Sequence, residues 1–171
     1  MKTKTILVTG GAQGIGRGCT EHFLKSGWNV TAVDIQPVES GVRLEAVRGD
    51  VSLEDTAVQA VDKTIRRFGR IDALINNAGV SAVGKFRIEE LPLEEWNRVV
   101  GVNLTGCFLM AKHAAPFLRR TRGAIINIAS TRAFQSEPDS EAYAAADAFM
   151  AVQSTMAGRV RILYTHLRRN R

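Results

Sequence analysis

Cysteine is scarce in this 171-residue chain. Its two thiols, Cys19 and Cys107, lie far apart, form no CxxC pair and sit in apolar runs of helical period. That argues against a disulfide scaffold or a thiolate metal cluster, and predicts buried free thiols, no metal site and a reducing, cytoplasmic compartment. Long hydrophobic runs are absent as well, and none approaches the length that spans a bilayer. The opening MKTKTILVTGG turns glycine-rich after a short apolar stretch, which predicts a strand and a loop rather than a signal peptide. Lysine does not occur after Lys112, nor any acid after Asp147. Residues 1–147 carry 18 Lys and Arg against 17 Asp and Glu, whereas 148–171 carry five Arg and no acid. The net charge of +6 therefore belongs to a tail rather than to a domain face, which disfavours a nucleic-acid partner. GxSxG is missing, so a serine hydrolase is disfavoured. His22, His113 and His166 fall in no motif that suggests a general base and read as solvated or structural.

What is present is an ordinary globule, 45% apolar and 23% charged, of a length that fits one domain. Short β-branched runs alternate with segments of helical period. Strands are expected at 5–10, 28–34, 43–50, 71–79, 123–130 and 159–165. Helices are expected at 15–27, 52–69 (with Ser52 as cap and Asp55 three places on), 91–120 (with a bend at Pro116) and 143–157. This alternation predicts an α/β fold: a mostly parallel sheet covered on both faces, with ligands beyond the carboxyl ends of the strands. The stretches 81–92 and 131–141 each follow such an end and suit a substrate.

TGGAQGIG (9–16) joins the first strand to the first helix. Gly10 suits the tight turn, Gly14 lets backbone approach a diphosphate, and Gly16 lets the helix pack closely. Ile15 stands between the last two, where free N–H groups meet phosphate. Asp34 ends the second strand, where its carboxylate can accept from both hydroxyls of an adenosine ribose. The same charge repels a 2′-phosphate, so NAD(H) is favoured over NADP(H). Asp50-Val51 suits an adenine amino group and ring, or else a strand-end acid capping a turn. Asn76-Asn77-Ala78-Gly79 can tie strand ends together, with Gly79 close to a ribose, or else form an Asx turn. Ser130 can donate to a substrate oxygen or cap a turn. Tyr143, at the start of the next helix, can exchange a proton with that oxygen or be a half-buried aromatic. Asn103, in mid-helix, falls where these elements converge.

As a set, these residues resemble the classical short-chain dehydrogenases/reductases over roughly residues 3 to 143. The 27-residue step from Asn103 to Ser130 and the 13-residue step to Tyr143 match that family's spacing. The resemblance implies a three-layer Rossmann-type fold, one dinucleotide-binding domain over 1–171 with an atypical basic segment at 144–171, and NAD(H) as cofactor. It implies that Gly10, Gly14, Ile15, Gly16 and Asp34 form the cofactor site, with Asp50 and Val51 at the adenine and Asn76 and Gly79 at the ribose. Tyr143 is then the catalytic acid/base, Ser130 the residue that orients the carbonyl or alcohol, and Asn103 the holder of a proton-relay water. The implied activity is hydride transfer between nicotinamide and a secondary alcohol or ketone, in a homodimer or homotetramer built through 91–120 and 143–157. A non-catalytic dinucleotide-binding or interaction protein on the same scaffold is the alternative.

Two departures from the family pattern stand out. Four residues after Tyr143 the family carries a lysine that holds the nicotinamide ribose and favours tyrosinate; this chain has Asp147. An acid can still accept from a ribose hydroxyl, but its charge acts on the tyrosine in the opposite sense, and Arg159 or Arg161 is the nearest candidate to compensate. The family's members also run considerably longer, with a last strand and helix that are missing or altered here. A truncated or frameshifted product would account for the lost lysine, the short helix and the arginine-rich end together.

Overall fold

The computed structural model describes residues 3–81, 86–134, 138–152 and 160–165. Six strands, β1 (Thr5–Thr9), β2 (Asn29–Asp34), β3 (Leu44–Arg48), β4 (Ala73–Asn76), β5 (Ala124–Ser130) and β6 (Val160–Thr165), form one sheet in the order β3-β2-β1-β4-β5-β6. Every neighbouring pair is parallel. β1 is buried along its whole length, as its unbroken TILVT run requires of a strand covered on both faces. The α-helices among the described residues are α1 (Gly14–Lys25), α2 (Glu54–Phe68), α3 (Leu93–Val100), α4 (Gly106–Thr121) and α5 (Glu141–Val152).

Period-2 alternation along the strands feeds two cores. On one face Leu7, Val33, Val47 and Leu74 meet Ala57, Ala60 and Val61 of α2 and Met110, Ala114 and Leu118 of α4. On the other, Ile6, Val8, Val30 and Ile75 meet Cys19, Phe23 and Leu24 of α1 together with Trp28. Strand order reverses between β1 and β4, whose carboxyl ends therefore open a crevice. Glu54, at the start of α2, accepts from Lys112 and His113 of α4, and the Lys112 bond leads in holding its carboxyl below the usual range. His113 is thus structural, and His22 packs edge-on against Phe23; His166 lies outside the described residues.

Three sequence expectations change. Ser52 does not cap α2: its N–H and hydroxyl both donate to Asp50 Oδ1, at 2.9 and 2.8 Å, and the helix starts two residues later after Leu53. A short acid two places back outcompetes the helix for that serine. The expected helix over 91–120 divides into α3, a π-helical turn at Gly101–Thr105, and α4. Gly101 opens that turn, at the mid-course glycine of the expected helix. Gly106 follows it, and a β-carbon there would lie 2.8 Å from Val51 Cγ2, so the chain passes Val51 at contact distance. The last helix begins at Glu141 rather than Tyr143, which puts the tyrosine in its first turn; the expected stretch 153–157 lies outside the described residues.

Candidate functional site

The crevice is built from the β1–α1 loop upward. Gly10 has φ +67°, a left-handed conformation that turns the chain off β1, and its N–H is held by the Val33 carbonyl at 2.8 Å. A β-carbon on Gly16 would stand 2.0 Å from the Gly10 oxygen, so only glycine lets α1 start this close to the strand it follows. Gly14, at φ +53°, is the opposite case: a β-carbon there would meet nothing within 4 Å, because the space over the loop is open. Gln13 makes no side-chain cap, and the first intrahelical bond is Arg17 N–H to the Gln13 carbonyl. The N–H groups of Gly14, Ile15 and Gly16 lie at the positive end of a helix beside that open space, the kind of place that favours an anion. Ile15 is partly exposed beside it.

Asp34 ends β2 almost buried, with Oδ2 accepting from Ala12 N–H and Oδ1 from Gln36 N–H, both at 2.9 Å. Two backbone donors fix its direction. Each oxygen keeps a second lone pair for a ligand hydroxyl. At the end of β4, Thr9 Oγ1 accepts from the N–H groups of Asn77 and Ala78, each at 3.0 Å. Asn77 Nδ2 in turn donates to the carbonyls of Thr9 and Gly10, at 2.9 and 3.2 Å. Asn77 therefore locks the glycine turn to the next strand, the strand-tying role expected of the NNAG amides. Gly79 has no backbone or packing constraint that excludes a side chain, its nearest prospective contact being Asn103 Oδ1 at 3.6 Å. A ligand close by would supply the missing reason for glycine.

Two side chains implied at the cofactor are engaged by the scaffold. Asn76 is 1% exposed; its Nδ2 donates to Oδ1 of Asn127, its register partner on β5, at 2.9 Å, and to the Cys107 carbonyl at 3.5 Å. It ties strands together. Val51 belongs to the α2–α4 core, packed above Gly106. Asp50 makes the strand-end turn through Oδ1, the second of the two readings open to it.

Asn103 sits in the π-helical turn and grips one residue by both polar groups: Oδ1 accepts from Val80 N–H at 2.8 Å and Nδ2 donates to the Val80 carbonyl at 2.9 Å. This fixes the chain just beyond Gly79 to the head of α4. Ser130 is the last residue of β5, and Tyr143 lies in the first turn of α5; both are half-buried. α5 packs on β5 and on the π-helical turn, so the three elements that carry Asn103, Ser130 and Tyr143 are in mutual reach of one another through α5.

Asp147 is buried at 5% exposure, one turn below Tyr143. It faces Cys107 closely enough to act on it: burial first, and then the Asp147 charge, push that thiol up to about 12. Arg159 lies outside the described residues, and Arg161 stands in β6 opposite Ile126. Both cysteines are free, Cys107 buried as expected and Cys19 only half-buried. Among the described residues no cluster of His, Cys, Asp or Glu is arranged to hold a metal ion, and no helix is long and apolar enough to cross a membrane.

Residues 4–161 match the family model described as short chain dehydrogenase. An uncharacterized oxidoreductase of Thermotoga maritima is 43% identical over 157 residues, covering 85% of this chain and 60% of that protein. Momilactone A synthase of Oryza sativa subsp. japonica is 41% identical, over 82% of this chain and 54% of its own length. Among solved structures, the ligand-free aldohexose dehydrogenase of Thermoplasma acidophilum superimposes with a TM-score of 0.82 at 29% identity, over 90% of this chain and 59% of its own. A 3-ketoacyl-(acyl-carrier-protein) reductase of Brucella melitensis, complexed with NADH, gives 0.82 at 29% identity, over 95% and 74%. The chain thus spans about half to three fifths of the curated relatives it matches. The family model matches nearly the whole chain and relatives exceed 40% identity, which leads to one conclusion: the chain belongs to the short-chain dehydrogenase family.

Proposed function

We propose that this chain is the cofactor-binding part of an NAD(H)-dependent oxidoreductase that interconverts a secondary alcohol and a ketone. Asp34 carries the reading. Its carboxylate is aimed by two backbone N–H groups, one of them from the glycine loop itself, into the place where an adenosine ribose would meet the β2 end. A fixed negative charge there favours two free hydroxyls over a 2′-phosphate. The α1 N-terminus would hold the diphosphate, and the backbone near Gly79 the second ribose. Nicotinamide, when bound, gives or takes the hydride at C4. Tyr143 would pass the proton to or from the substrate oxygen, Ser130 would donate to the same oxygen, and Asn103 would hold the relay that refills Tyr143. A cytoplasmic homodimer or homotetramer built through α3, α4 and α5 fits this reading, and Phe108 stands half-exposed on α4.

A second reading has an observation of its own. The family lysine is replaced by an acid buried against Cys107, which suits a protein that binds dinucleotide without turning it over. One experiment orders these readings: NADH fluorescence titration of the wild type and Asp147→Lys, followed by turnover of a panel of secondary alcohols. NADH binding below millimolar levels is expected, and failure to bind at that level removes both readings. If Asp147→Lys turns over and the wild type does not, the site is catalytic in design and silenced at 147. If neither turns over while both bind NADH, the non-catalytic reading holds.

A further inference from the structure

The adenosine end of the crevice contains a second charged residue besides Asp34. Arg48 is the last residue of β3 and the register partner of Asp34 in the parallel β2–β3 pair. Paired residues of parallel strands project to the same face of the sheet, and the Gly49 N–H bond to the Asp34 carbonyl, 2.9 Å, keeps the two strand ends level. Leu44, four residues before Arg48, packs into the α1-side core, so Arg48 shares the α1 face on which Asp34 accepts from Ala12. Its guanidinium does not extend into solvent at random. Nε donates to the carbonyl of Ile35, the residue after Asp34, at 3.1 Å. The cation is thereby laid across the end of β2, one residue beyond the carboxylate. That is its one hydrogen bond among the described residues, so the two terminal amino groups remain available to a ligand. Arg17, the other arginine near the glycine loop, is taken by Glu21 through an ion pair at 2.8 Å.

We propose that Arg48 is a latent 2′-phosphate anchor, and that cofactor choice in this chain is set by the balance between Asp34 and Arg48 rather than by Asp34 alone. The proposal rests on the dinucleotide reading above. Two free, planar N–H₂ donors on a fixed cation are the geometry that binds a phosphomonoester, and the adjacent carboxylate is what keeps one out. Removing the carboxylate exposes a ready site; removing the arginine as well leaves neutral walls.

The test is a double-mutant cycle with wild type, Asp34→Asn, Arg48→Ala and the double variant. Affinities for NADH and NADPH are read by fluorescence titration, and those for 5′-AMP and adenosine 2′,5′-bisphosphate by competition against NADH. Asp34→Asn is expected to gain NADPH affinity by about tenfold or more, the scale of a charge-assisted hydrogen bond freed from an opposing charge. The double variant is expected to lose that gain, with NADH affinity altered equally in both backgrounds. A gain that persists undiminished without Arg48 overturns the proposal. Arg48 is exposed and Arg48→Ala leaves every core contact in place, so it serves even if Asp34→Asn folds poorly. In that arm Arg48→Ala must weaken the bisphosphate several-fold relative to 5′-AMP, and an unchanged ratio also overturns the proposal. Failure of wild-type protein to bind NADH at all counts against the dinucleotide reading instead, so the two failures are distinguishable.

Discussion

Gly16→Ala should separate packing from backbone conformation in the glycine turn. The added carbon would stand 2.0 Å from the Gly10 oxygen, 2.7 Å from the Gly10 carbonyl carbon and 2.4 Å from Asn77 Nδ2. Non-bonded heavy atoms settle at about 3.5 Å, so the start of α1 must retreat by more than an ångström from a main-chain group that cannot rotate aside. Overpacking on this scale costs about 3 kcal/mol, the upper end of the usual range. The retreat also strains the Asn77 bonds to the carbonyls of Thr9 and Gly10, each contributing about 1 kcal/mol. For a chain of this size a 3 kcal/mol loss lowers Tm by about 6–12 °C. Gly14→Ala is the control. It meets no atom within 4 Å and bears only the left-handed backbone penalty of its φ of +53°, about 1–2 kcal/mol. Thermal unfolding followed by circular dichroism should therefore rank wild type above Gly14→Ala above Gly16→Ala. Cofactor affinity should rank differently, because an alanine at 14 enters the open space over the loop. If Gly16→Ala melts no lower than Gly14→Ala, the close approach of α1 to Gly10 is not what requires glycine.

Asn103→Ala strips both partners from Val80 and should lower stability by about 2 kcal/mol, measured by urea denaturation, while Asn103→Asp should do worse by setting a carboxylate against the Val80 carbonyl. The Cys107 thiol, held up to about 12 by burial and by Asp147, predicts a falling stability above pH 9. The unfolded chain ionises this thiol from about pH 9 while the folded chain retains the proton, so its contribution is complete below pH 9 and lost as pH rises towards 12. Cys107→Ala should flatten that part of the pH profile of unfolding. A slope that persists unchanged in the variant would place its origin elsewhere.

Local chemistry made most of the fold legible. TILVT and NVTAVD read as buried strands because nothing but apolar and β-branched residues can be covered on both faces. Gly10 read as a turn because its place between strand and helix requires a left-handed residue, which it is. Two of the failures involve residues with partners distant or competing. Ser52 carries a helix-cap signature, yet Asp50 lies two residues away and takes both its donors. The π-helical turn at 101–105 leaves no mark on the hydrophobic period, since it is stabilised by Asn103 reaching a segment 23 residues back in the chain.

The sequence alone therefore determined the α/β class, the glycine cradle and the acid at the end of β2, because each follows from backbone conformation or from a run of side chains adjacent in the chain. Tertiary structure alone decided which amides serve the scaffold: Asn76 pairs with Asn127 across 51 residues, and Asn77 with Thr9 and Gly10 across nearly 70. It also decided that Asp147 is enclosed beside Cys107 and that Arg48 lies across the end of β2. A hydrogen bond or a charge is worth what its surroundings make of it, and those surroundings come from strands and helices distant in sequence.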